Sequence, residues 1–311
     1  MQPHRQLSMG LIALGAGAAL TALLGPFGTG TLHYRTSELA LNQIRGGDAA
    51  ALLVLAPLCA VVAVLALRRH PAAPVLALGP AVYAVYMYSQ LILGNEYGQV
   101  PGNVERFFPL LLSLVLTGAW VGVSATRLLR TTRLPATTAR FDRVTGGVLL
   151  VLAAYVVLGI HLGSYLDAVS ASPSDPQYLG APTAFWVVKL WDLGAVVPAA
   201  VVVGVGLLRG RAWAKAPMYA IIGGYLLLAC SVAGMAWAMY AADDPGGSLA
   251  QALTVSAFVG ALLAAALRLY RPLLRGPWVS VATRSSSDRS SDRSSDPPMD
   301  GHRAIISRAS R

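Results

Sequence analysis

Residues 49–67 read AAALLVLAPLCAVVAVLAL, and the two residues that follow are Arg68 and Arg69. No side chain in the run is charged. A helix on a soluble core keeps its apolar residues to one stripe, whereas this one is apolar on every side, the pattern of a helix solvated by lipid. At 1.5 Å per residue the run covers about 28 Å, close to the hydrocarbon thickness of about 30 Å. Lipid offers backbone N–H and C=O groups no partners, so a helix is forced. The dyad alternation of an outer-membrane barrel strand is absent.

Seven further stretches read the same way: 7–25, 72–93, 107–126, 145–166, 183–208, 216–240 and 249–270. The sequence therefore predicts an all-α polytopic transmembrane helix bundle of about eight spans. Composition agrees, because 12% of the 311 residues are charged where a soluble domain carries about a quarter. Arg5 followed by the apolar run from Leu7 raises the alternative of a signal peptide. The run is long for that, and Gly25-Pro26-Phe27-Gly28 has no small-x-small cleavage site, so it reads as a retained helix.

The net charge of +10 sorts by side. With the N-terminus inside, Arg5, Arg68, Arg69, Arg127, Arg130, Arg133, Arg140, Arg143, Arg209, Arg211 and Lys215 all fall on one side, as does the basic tail. The opposite connections hold Arg35, Arg45 and Arg106 among Glu38, Asp48, Glu96, Glu105, Asp167, Asp175, Asp243 and Asp244. This satisfies the positive-inside rule and predicts a multi-pass plasma (inner) membrane protein with both termini cytoplasmic. The basic charge is thus a topology signal with some attraction to anionic lipid heads, not a nucleic-acid footprint. Cys59 and Cys230 lie mid-span, and only His161 among the histidines lies within a span. Neither a disulfide framework, a metal site nor a haem is expected, and no cofactor is implied.

Three parts follow one another: a bundle over 1–270, a basic juxtamembrane segment over 271–283 with Trp278 at the interface, and a tail over 284–311. The tail repeats Ser286-Ser287-Asp288-Arg289 as Ser290-Ser291-Asp292-Arg293. It has little to bury and reads as a disordered, solvated segment, with regulation by phosphorylation as the alternative. In the 26–48 connection, Leu39, Leu41 and Ile44 suggest a short interfacial helix. The 167–182 connection, with Pro173, Pro176 and Pro182, reads as irregular. Ala252, Ser256, Gly260 and Ala264 recur every four residues and suggest a close helix contact.

Polar groups inside the bilayer carry the functional information because they are costly there. Asp192 lies about 13 Å past a span start at Thr183, near the midplane, with Lys189 one turn shallower. The two are three residues apart, share a face and are placed to pair. Each reads either as part of a structural ion pair or as part of a substrate, ion or proton site. Tyr83, Tyr86 and Gln90 form one stripe, followed by Asn95, Glu96 and Tyr97. His161 lies about two turns from the same surface, and Asp48, preceded by Arg45, begins the second span, where it can serve as a cap. Singly, each has a structural reading. Together, Asp192, Lys189, His161, Gln90, Glu96, Tyr86, Asp48 and Arg45 crowd the outer half and suggest an outward-facing polar cavity. No GxSxG, HExxH or phosphate-binding glycine loop occurs.

Arg45-Gly46-Gly47-Asp48 leading to Pro57, the Tyr-rich stretch from Tyr83 to Gly94, and Asp192-Leu193 with Pro198 resemble segments of an uncharacterised family of multi-spanning bacterial membrane proteins. Gly47 stands where that family's motif has Gln, and Lys189 departs from a neutral neighbourhood. The resemblance covers most of the bundle, supplies no activity and points to Asp48 and Asp192.

Two function classes fit. The first is a small transporter, channel or sensor acting on an unidentified small molecule, ion or lipid. The second is an enzyme acting on a lipid or isoprenoid from the outer leaflet, with Asp192, His161 or Glu96 as acid or base. The absence of a catalytic motif favours the first. An accessory subunit without its own site is a third possibility, and an oligomer is compatible with all three.

Overall fold

The computed structural model describes residues 2–132, 134 and 137–275. Arg133, Trp278, the juxtamembrane segment beyond Arg275 and the 284–311 tail lie outside the described residues. Among the described residues, eight helices are long and apolar enough to cross a membrane. They are Gln2–Leu24 (span one), Glu38–Leu67 (two), Ala73–Leu93 (three), Val104–Leu129 (four), Ala139–Ala168 (five), Pro182–Leu208 (six), Ala212–Ala241 (seven) and Leu249–Arg271 (eight). Every other ordered element is also helical. The chain is an all-α, multi-pass bundle.

Span two corrects the sequence reading. It begins at Glu38, with the Ser37 hydroxyl accepting the Ala40 N–H as its cap. The expected interfacial helix is therefore the first three turns of the span itself, and Asp48 lies well inside it rather than capping it. These turns are polar in sequence, but Leu41 and Ile44 pack onto the apolar core. Asn42 meanwhile donates to Asp244 at 2.9 Å. The 167–182 connection is irregular except for one helical turn, Pro176–Gly180, capped by Asp175.

Two apolar cores are present. Spans one to four build the larger one, around Leu11, Leu55, Cys59, Tyr83 and Leu111. The second gathers Val75, Leu149, Val203, Leu207, Met218, Tyr219 and Leu269, from spans three and five to eight. Span seven contributes to both, and glycines let it come close. A Cβ on Gly46 of span two would lie 2.2 Å from the Gly234 carbonyl carbon, and a Cβ on Gly79 of span three would lie 3.0 Å from that of Gly223. Backbone meets backbone at both crossings, as small residues permit in membranes.

Span eight packs on span seven, where Trp237 Nε1 donates to Ser256 Oγ at 2.9 Å and the Tyr270 hydroxyl donates to the Tyr219 carbonyl at 2.7 Å. Of the expected every-four stripe, Ala252 and Ser256 turn inward and Gly260 and Ala264 turn outward. On one face the connections interlock: the His33 and Arg35 amides donate to Asn103 and Asn95, and the Arg35 guanidinium reaches Glu105 and the Val100 carbonyl.

Three spans contain a widened π-turn, at Ala51–Leu55, Val156–His161 and Asp192–Val196. Pro57 and Pro198 follow two of them. Proline lacks the N–H and its ring crowds the carbonyl four residues back, which a wider turn relieves. Span five forms its π-turn without a proline.

Added methyl groups should rank by these distances. Gly46→Ala and Gly234→Ala should lower stability by about 1–3 kcal/mol or more through overpacking, Gly79→Ala by less, and Gly147→Ala and Gly260→Ala not at all. Thermal unfolding in detergent measures the series; equal loss at Gly46 and Gly260 would contradict the crossing.

Candidate functional site

Asp192 sits ten residues past Pro182, about 15 Å along span six. It is the first residue of a π-turn, and His161 is the last residue of another. The two side chains meet, with His161 Nε2 2.8 Å from Asp192 Oδ2. The other carboxylate oxygen, Oδ1, accepts the Tyr86 hydroxyl of span three at 2.7 Å. One carboxylate thus ties three spans together. Of the polar groups that the sequence places in the outer half, His161 and Tyr86 are the ones that meet it. The imidazole can donate to an ionised carboxylate, or a protonated carboxyl can donate to the imidazole. The two forms differ by the position of one proton.

Lys189 turns the other way. Its ammonium donates to Ser164 Oγ of span five at 2.8 Å and lies 3.5 Å from the centre of the Phe185 ring. The Asp192–Lys189 ion pair suggested by their spacing is not formed: the ammonium bonds to Ser164 while the carboxylate bonds to His161 and Tyr86. Spacing along one helix brings residues to one face, but it does not outrank a partner arriving from another helix.

Around Tyr86 lie further polar groups. Gln90, one turn along span three, sits against it, Trp191 meets its ring edge-on at 6.4 Å, and Tyr225 of span seven is near both Tyr86 and Asp192. Gln90 Nε2, Trp191 Nε1 and the Tyr225 hydroxyl are buried without a hydrogen-bond partner among the described residues. All three can donate, so the neighbourhood suits an oxygen acceptor, from water or a ligand. Sequence reasoning missed Ser164, Trp191 and Tyr225. Only Ser164, one turn from His161, carried a signal that could have been read.

Other candidates fall elsewhere. Glu96 is buried and accepts the Thr183 amide and hydroxyl, each at 2.7 Å, so it caps the start of span six. Arg45 is exposed and donates to Asn42. Asp48 is buried against Gly25, and one of its carboxylate oxygens has no partner. Tyr34 of the 25–37 connection is close by. Burial first, and the Asp48 charge second, push its hydroxyl well above the usual tyrosine range, so it stays a neutral donor. Tyr83 bonds to Ser231 at 2.7 Å. No hydrogen bond joins this group to the Asp192 chain. Among the described residues no three His, Cys, Asp or Glu side chains gather where they could hold a metal ion.

Beside Lys189 an open cleft of about 660 Å³ lies between Tyr165 of span five and Trp186, Leu190 and Leu193 of span six. Its polar members are Thr183 and Lys189. His161, Asp192 and Tyr86 thus form a hydrogen-bonded chain, and the cleft beside Lys189 is apolar.

No family model matches the chain, and no curated protein or solved structure matches it. This agrees with the resemblance to an uncharacterised family, which likewise brings no activity.

Double-mutant cycles in detergent should show where Asp192 is anchored. Asp192→Asn should couple to His161→Gln and to Tyr86→Phe by about 0.5–3 kcal/mol, and more weakly to Lys189→Met. Coupling to Lys189 as large as that to His161 would contradict the geometry.

Proposed function

We propose that this integral membrane protein is a proton-responsive transporter, with the His161–Asp192–Tyr86 chain as the group that takes up and releases the proton. The observation that carries this reading is that hydrogen-bonded chain, which joins three spans at two π-turns. Ionisable residues within spans mark ion pathways and proton relays, and π-turns gather at functional sites. A proton moving between carboxylate and imidazole alters the bonds that hold spans three, five and six together, and so links protonation to helix position.

The apolar cleft favours a second reading, an enzyme acting on a lipid from the outer leaflet. Among the described residues, however, no serine, threonine or cysteine hydrogen bonds to the His161 ring, so the pair activates no hydroxyl or thiol nucleophile of that kind.

The expected location is the plasma membrane with both ends cytoplasmic. Supporting this, Arg68, Arg69, Arg209 and Arg211 lie on one side while Glu96, Asp175 and Asp243 lie on the other. A cysteine introduced at Arg130 should resist a membrane-impermeant thiol reagent on intact cells, and one at the exposed Ser172 should react. The opposite pattern would invert the protein.

Proteoliposomes adsorbed on a solid-supported membrane test the proton role. A one-unit pH jump should displace charge in the wild type and produce no such transient in folded Asp192→Asn. A wild type indistinguishable from protein-free liposomes would overturn the proposal.

A further inference from the structure

Lys189 is 6% exposed and forms no ion pair among the described residues. The Ser164 hydroxyl and the Phe185 ring hold its ammonium, but neither cancels the charge. Asp175 and Asp192 lie within its field and neither bonds to it. A buried cation normally has a partner. Lys189 is also one of the residues lining the cleft, whose other walls are apolar apart from Thr183.

Depth narrows the identity of a ligand. Ser164 is four residues from the end of span five at Ala168, so the ammonium it holds lies about 6 Å below that end. The acid group of a lipid can reach this level while its hydrocarbon stays in the bilayer. Trp186 and Tyr165, edge-to-face at 6.2 Å, frame the opening. A small free anion would leave water for a cleft with almost nothing polar to receive it.

We infer that the cleft between spans five and six binds an anionic lipid, its acid group on Lys189 and its hydrocarbon chain along Trp186, Leu190 and Leu193. This deepens the transporter reading by naming a substrate class and rests on that reading only for transport, since binding is measured separately.

The test uses the purified full chain in phosphatidylcholine nanodiscs doped with acyl-brominated phosphatidylglycerol or acyl-brominated phosphatidylcholine. Bromine quenches nearby tryptophan, and the difference between wild type and Trp186→Phe isolates the Trp186 signal among the six tryptophans. Half-quenching should need about fivefold less of the anionic lipid than of the neutral one, the ratio expected for one lysine. Lys189→Arg should keep the preference; Lys189→Gln and Lys189→Met should abolish it. Equal quenching by both lipids in the wild type overturns the inference without any variant, as does a preference that survives in Lys189→Gln. Loss of the preference on adding millimolar inorganic phosphate overturns it too, by showing that the site takes a free anion. Quenching is read without a pH step and charge displacement without brominated lipid, so the two proposals fail independently.

Discussion

Asp192 lies about 15 Å along a membrane span, far from the bulk water at either face, and that depth constrains the arrangement of half the bundle. A carboxylate there must be met by donors from the protein. Span six cannot supply them, since its neighbouring residues are apolar or turned elsewhere, so they arrive from span three as Tyr86 and from span five as His161. Two hydrogen bonds to opposite oxygens fix the height and rotation of both partners. Span five shows how much depends on this. Along its length it packs chiefly on span six, where Gly146 and Gly204 approach so closely that a Cβ on Gly146 would lie 2.7 Å from the Gly204 oxygen. A glycine crossing holds one part of the span and the His161–Asp192 contact holds another.

The π-turns belong to the same arrangement. An α-helix gives each side chain a fixed angular position, and a widened turn shifts that position for everything beyond it. Asp192 opens one such turn and His161 closes another. Irregular backbone in a bilayer is tolerable only where the protein itself satisfies it. Pro198 gives the wide turn in span six a local cause. The turn in span five has no proline to force it and ends on the residue that meets Asp192.

The spans were legible in the sequence because twenty apolar residues without charge have few other meanings. The start of span two was not, since Glu38, Asn42, Arg45 and Asp48 disguise a helix whose Leu41 and Ile44 face the core. Cost at depth identified Asp192 and His161 singly. Their meeting was beyond the sequence, because contact between spans depends on crossing angle and height, whereas spacing reports only on one helix. The same limit made Lys189 look like the natural partner of Asp192 and made a regular run of small residues in span eight look like a seam. Glu96 looked like a site residue because a buried carboxylate that caps a helix has the same sequence signature as one that binds a ligand.

The separation of Lys189 from Asp192 has consequences for how the proposed parts would work together. Had the two paired, their charges would have cancelled and the pair would have been inert. Instead one short stretch of span six carries a carboxylate hydrogen-bonded to His161 and Tyr86 and, one turn away, a buried cation beside a cleft. They remain within each other's field. An acid group seated on Lys189 would set two negative groups around one cation, and a proton on the His161–Asp192 pair would relieve the repulsion between them. By reciprocity, a proton there would strengthen the hold of Lys189 on the acid group. Coupling of this kind needs no long-range pathway. It needs only that the charges be close, separately housed and poorly screened, which is the arrangement that two competing partners, Ser164 for the lysine and His161 for the aspartate, enforce.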